Sequence, residues 1–78
     1  MATLDHLRAG QRGRILTLEG NDALLQRLYE MGLFEGEEVE VIGFAPLGDP
    51  IEIRLRDYRL SLRRKEAQRI QLMPDSPS

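Results

Sequence analysis

The sequence predicts a mainly β fold, a small curled antiparallel barrel of about five strands with one short helix inserted between strands 1 and 2. Three observations lead there. At 78 residues the chain holds one domain. It has no cysteine, so packing alone must stabilise it. Most of its apolar residues alternate with polar ones at a period of two. A flat sheet this small would leave long edges open, and curling protects them.

Thr3 to Leu7 reads as one turn with Thr3 as its cap and Leu4 and Leu7 facing inward, before Gly10 breaks it. A first strand is expected over Arg12–Leu18. The one convincing helix follows, with Asn21 or Asp22 as N-cap and Leu24, Leu25, Leu28 and Met31 at helical spacing. Gly32 stands where a left-handed C-terminal residue is wanted, and Leu33 should fold back onto Leu28. Of that helix, Leu24, Leu28 and Met31 should cover one open end of the barrel.

Val39 and Val41, separated by acids, begin a second strand that Ile42 to Ala45 extend, with Gly43 suited to a bulge. Ala45 to Pro50 must be a loop. Ile51, Ile53 and Leu55 line one face of a third strand, and Tyr58, Leu60 and Leu62 line one face of a fourth. Their hairpin turns at Arg56-Asp57, with Asp57 taking the left-handed conformation. A helical turn at Arg64 to Ala67 leads to a last strand over Arg69–Met73. The expected core is Val39, Val41, Ile53, Leu55, Leu60, Leu62 and Ile70. Residues 1–73 form the domain, and 74–78 are expected to be a disordered tail. The element order matches an SH3-like barrel.

Charge is segregated along the chain. From Glu30 to Glu52 seven acids meet no base; from Arg54 to Arg69 seven bases meet only Asp57 and Glu66. Complementary charge on antiparallel neighbours is the simpler account, and a dipolar surface that steers a partner is the sharper one. The composition also excludes chemistry. His6 is the single histidine, no cysteine accompanies it, and no serine sits in a strand-to-helix elbow, so no nucleophile and base can be assembled. The glycines form neither a P-loop nor a dinucleotide fingerprint. No enzyme, cofactor or metal site is expected; at most a divalent cation could bind incidentally near Asp5 or His6. Arg63-Arg64-Lys65 alone, in a chain of net charge −2 with two Tyr, two Phe and no Trp, does not make a nucleic-acid surface. No apolar stretch reaches the length of a membrane span, and the start carries Asp5, His6 and Arg8 where a signal peptide needs apolar residues, so the expected location is the cytoplasm.

The segment Ala45-Pro46-Leu47-Gly48-Asp49-Pro50 is richer than a strand connection requires. Two prolines stiffen it and Leu47 stands at its tip, as in a preformed docking loop; a rigid connection with Leu47 folded back is the alternative.

Three strings, MGLFEG (Met31 to Gly36), APLGDPIEI (Ala45 to Ile53) and YRLSLRRKEAQRI (Tyr58 to Ile70), together resemble the FeoA family of bacterial ferrous iron uptake. The resemblance runs from Leu4 to about Leu72, with Asp57 standing where the family's hairpin would have glycine. It implies an SH3-like, non-enzymatic cytosolic accessory of FeoB, the GTP-dependent membrane permease, recruited to the inner face of the membrane through the permease's cytosolic part. No direct membrane insertion is implied, and self-association stays open. The alternative is a regulatory domain working with an iron-dependent repressor, in which case DNA or a DNA-binding chain would be the partner. Among the matched positions, Leu33, Phe34, Pro46, Leu47, Gly48, Asp49 and Arg63 are the expected partner-binding residues, with Leu33, Phe34 and Leu47 as one compact apolar anchor.

Overall fold

A computed structural model describes residues 2–20 and 22–73. Asn21, one of the two expected helix caps, and the expected tail 74–78 lie outside the described residues. The elements follow in the expected order: a 3-10 turn Leu4–His6, β1 (Arg12–Leu18), α1 (Ala23–Glu30), β2 (Glu38–Phe44), β3 (Ile51–Leu55), β4 (Tyr58–Leu62), α2 (Arg64–Ala67) and β5 (Ile70–Leu72). The strands form one antiparallel sheet in the order β4-β3-β2-β1-β5.

The β2–β3–β4 meander is set by alternation. Val39, Val41, Ile51, Ile53, Leu55 and Leu62 are completely buried, and the positions between them carry charge toward solvent. Between Val41 and Gly43 the register against β3 shifts, the bulge expected at Gly43, and a second irregularity interrupts the β1–β5 pairing between Ile15 and Thr17. Leu60 departs from expectation: it is half-buried against the core rather than within it, in the middle of edge strand β4, whereas Leu62 at the end of that strand, where the chain turns into α2, is fully buried. The barrel stays open. β4 and β5 do not pair with each other, and α2 joins them across the seam.

Asp22 caps α1 by accepting a hydrogen bond from the Leu25 amide at 3.3 Å. At the other end Gly32 has φ +96°, the Gly32 amide bonds to Tyr29 O and the Leu33 amide to Leu28 O, which is the expected fold-back. Leu28 and Leu33 are fully buried, with Leu25, Tyr29 and Met31 packed against the core; Leu25, rather than Leu24, completes the covering face. Arg27 of α1 reaches Glu66 of α2 at 3.3 Å. Glu66 is buried and also accepts the Arg63 amide at 2.7 Å, so this acid closes α2 onto the helix above it.

Two turns differ in detail. Thr3 precedes the 3-10 turn without capping its backbone, its hydroxyl donating to the Asp5 carboxylate instead. In the β3–β4 hairpin Arg56, not Asp57, adopts the left-handed conformation at φ +59°, and its guanidinium grips Glu37 at 2.6 and 3.1 Å. The two ends of the described chain meet. Thr3 bridges Gln71, and the Leu72 amide donates to Ala2 O at 2.9 Å.

Candidate functional site: the β2–β3 loop end of the barrel

The charge segregation resolves in large part into ion pairs between the two blocks, two of them across neighbouring strands and two between the connections at the strand ends. Arg54 faces Glu40 at 3.5 Å, Arg56 faces Glu37 at 2.6 Å, Arg59 faces Glu52 at 3.8 Å and Arg63 faces Asp49 at 4.0 Å. Each joins an acid of the first block to a base of the second, so complementary neighbours account for much of the pattern. The Arg56 hydrogen bonds hold the Glu37 carboxyl below its usual range, and Arg69 with the Leu25 amide does the same for Asp22.

One end of the barrel is different. After Phe44 the chain enters the loop Ala45 to Pro50, closed by Gly48 N to Ala45 O at 2.7 Å and Ala45 N to Pro50 O at 3.0 Å, with a cis Asp49–Pro50 peptide. Leu47 at the tip is 96% exposed, while Phe44 at the base is 38% exposed. Leu47 therefore does not fold back. A solvent-facing leucine of that degree, on a loop braced by its own backbone, is a ready contact for another surface.

Arg64 braces the loop from α2. Its amide donates to Asp49 Oδ1 at 3.0 Å, its Nε to Gly48 O at 3.0 Å and its Nη1 to Asp5 O at 3.3 Å, and its guanidinium lies 5.5 Å from the centre of the Phe44 ring. Pro46 is exposed beside Leu47, and Arg63 is exposed next to Arg64. Asp49 serves the loop: one oxygen takes the Arg64 amide and the other faces Arg63.

Of the expected partner-binding residues, this end gathers Pro46, Leu47, Gly48, Asp49 and Arg63. Leu33 is excluded from contact because it is fully buried beneath the end of α1. Phe34 is 46% exposed but lies elsewhere, its ring 5.7 Å from that of Tyr29. That region adjoins the β3–β4 hairpin, since the Tyr58 hydroxyl donates to Met31 O at 3.1 Å, whereas the Leu47 loop enters β3 at Ile51. The two apolar spots thus sit at opposite ends of the β3–β4 pair, and the single compact anchor expected from sequence does not form. Sequence reading missed Arg64 and Phe44. The basic triplet around Arg64 was visible in the sequence; that its middle member turns back onto the loop was not.

His6 is exposed, with Asp5 Oδ2 4.0 Å from its Nε2. Among the described residues no group of three or more His, Cys, Asp or Glu side chains could hold a metal ion, and no helix is long and apolar enough to cross a membrane.

The FeoA domain model matches residues 2–74. An Fe(2+) transport protein A/Fe(2+) transporter FeoB fusion protein of Porphyromonas gingivalis is 38% identical over 69 residues, which cover 88% of this chain and 8% of that one. The chain thus spans a small part of the curated relative it matches. Among solved structures, iron(II) transport protein A of Clostridium thermocellum superposes with a TM-score of 0.86 at 38% identity, covering 91% of this chain and 44% of that one. The FeoA of Stenotrophomonas maltophilia, solved with zinc and described as a prokaryotic SH3 domain protein, gives 0.84 at 30% identity, covering 97% and 94%. The barrel is accordingly SH3-like. A manganese-dependent transcriptional repressor superposes at 0.85 over 92% of this chain and 35% of its own, but at 18% identity this likeness concerns the fold alone.

Proposed function

The chain belongs to the FeoA family of ferrous iron transport, and from that premise we propose that it is a non-enzymatic cytosolic accessory that binds the cytosolic part of a FeoB-type permease through the loop end of its barrel. One observation carries the reading: in the P. gingivalis relative, the matched segment belongs to a protein described as a fusion with the transporter itself. Fusing two modules raises their effective concentration for one another, which is useful where the two must touch. A separate chain of the same family would make that contact without the tether and would have to supply its affinity from its own surface.

The exposed loop end suits that task, and the mechanism needs no bond-making. The accessory stabilises whichever conformation of the permease binds it better, and transport changes by that difference in affinity. Nothing specific to this chain favours the repressor alternative.

The test uses the full chain as bait for the permease in nanodiscs of neutral lipid. Capture that weakens as salt rises, together with reduced ferrous iron uptake in cells lacking the chain, is expected. Absence of capture at every salt concentration, with uptake unchanged, would overturn the reading.

A further inference from the structure

The loop end carries a second observation that bears on the kind of surface it meets. Arg63, Arg64 and Lys65 are consecutive, and Asp49 meets the first two, its Oδ1 accepting the Arg64 amide and its Oδ2 4.0 Å from Arg63. Lys65 is exposed and has no ion pair among the described residues. Arg54, Arg56 and Arg59 each face an acid, whereas the three consecutive bases at this end have one carboxylate, Asp49, against Arg63 and the Arg64 amide, and Arg64 is bonded to Gly48 beside Leu47, the most exposed apolar side chain of the described residues.

From this geometry we infer that the loop end is built to enter an apolar pocket rimmed by acidic side chains on the partner protein, and that Arg64 is the positioning residue that holds the loop in the shape that fits. The inference rests on the protein-docking reading above and adds the partner's chemistry and the residue responsible for fit. Among the described residues Leu47 is the one protruding large aliphatic group, which suits a pocket rather than a flat face. Arg63, which faces Asp49 of the same loop, and Lys65, exposed one residue beyond Arg64, would match carboxylates at the rim, contributing association rate more than final affinity. Arg64 has a different task. With side-chain hydrogen bonds to the Gly48 and Asp5 carbonyls, a hydrogen bond from its backbone N–H to the Asp49 carboxylate and its guanidinium over Phe44, it ties the loop, the 3-10 turn and the end of β2 together. A loop fixed before binding loses little entropy on docking.

An anionic lipid surface shares the attraction for cations and an apolar tip. It is the weaker candidate, because interfacial binding grows with the apolar area inserted. This end offers one leucine, and Phe44 is half covered and sits under Arg64.

The experiment compares Leu47→Ala, Lys65→Glu, Arg64→Ala and Arg64→Lys with the parent chain against the permease in neutral-lipid nanodiscs, and against vesicles containing phosphatidylserine. Leu47→Ala should weaken permease binding about tenfold or more, as for a central anchor. Lys65→Glu should slow association and flatten its salt dependence. Arg64→Ala should weaken binding and speed amide exchange at Gly48 while leaving exchange at Val41 and Ile53 unchanged. Arg64→Lys should fail to rescue, since an ammonium cannot reproduce the planar fork. If the parent binds but all four variants bind alike, the inference is wrong and the docking reading survives through another surface. If Arg64→Ala weakens binding without loosening Gly48, Arg64 is a contact and not a positioning residue. Binding to the charged vesicles that depends on Leu47, with none to the permease, would overturn both readings in favour of lipid.

Discussion

Alanine at Gly32 should destabilise the domain more than alanine at an equally left-handed glycine with open surroundings. At φ +96° a side chain is disfavoured by about 1–2 kcal/mol, of which roughly 0.4–1 kcal/mol is returned by restricting the unfolded chain. Space adds to the cost. A β-carbon at Gly32 would overlap the Tyr58 hydroxyl and lie 3.4 Å from Leu55 Cδ2, so Tyr58 must move and its bond to Met31 O, worth about 1 kcal/mol, is lost. The sum is about 2 kcal/mol. For a domain whose total stability is on the order of 4–12 kcal/mol, that lowers the melting temperature by about 8–16 °C. Gly36 is the control: its φ is +89° and nothing lies within 4 Å of the added carbon, so Gly36→Ala should cost about 1 kcal/mol or less. Thermal and urea melts of both variants, and of Gly32→Ala combined with Tyr58→Phe, separate the contributions. Removing the hydroxyl makes room for the methyl, so the double variant should recover about 1 kcal/mol relative to additivity. Equal losses at Gly32 and Gly36, with additive behaviour in the double variant, would refute the argument that the end of α1 is locked against β4.

Leu62→Ala should cost about 2–5 kcal/mol as a fully buried truncation, and Leu60→Ala clearly less; urea midpoints that ranked them the other way would show that the burial along β4 is misassigned. Leu47→Ala should leave the melting temperature unchanged, because the side chain touches little of its own domain, whatever it does to binding. The Glu37 carboxyl is depressed below its ordinary value of 4.5, first by the Arg56 hydrogen bonds, so the stabilisation is complete above that value and is lost as pH falls through the lower folded one. Arg56→Ala should therefore flatten part of the acid-side decline in melting temperature, and an unchanged slope below pH 4.5 would remove Glu37 from the account. Addition of a chelator should leave the melt unaltered, because among the described residues no cluster of metal ligands ties the fold together; a fall in melting temperature would show that a cation contributes.

Strand positions were legible because one buried face imposes a period of two, and β1, β3 and β4 fall where the alternation places them. Leu33 was legible as a fold-back onto Leu28, yet the same fact removes it from the contact surface, since a residue that closes a helix end is spent on its own core. Leu60 carries the same pattern as Leu62 on the same edge strand, yet only Leu62, at the end that leads into α2, is fully buried, a difference no alternation reveals. The hairpin illustrates another limit. Either central residue could have turned left-handed, and the choice of Arg56 places its guanidinium against Glu37, a partner nineteen positions away that no local propensity reveals. Arg64 was hidden for the same reason: its partners Asp5, Phe44, Gly48 and Asp49 are assembled by the topology. The FeoA strings, by contrast, identified the family directly.

The meeting of the two chain ends sets an order on folding. β2, β3 and β4 are joined by short connections, so their pairing closes small loops and needs little chain to be fixed beforehand. β1 can pair with β2 on one side, but its other edge waits for β5, which arrives more than fifty residues later, and Ala2 accepts from Leu72 across almost the whole described sequence. Such distant pairings are entropically costly and slow. During synthesis the meander can form while Ile15 and Leu18 still lack the cover of Ile70 and Leu72, leaving apolar surface open until the last strand leaves the ribosome. The nascent domain is therefore most vulnerable to aggregation and to proteases just before its final strand docks, and the short β5 decides when that window closes.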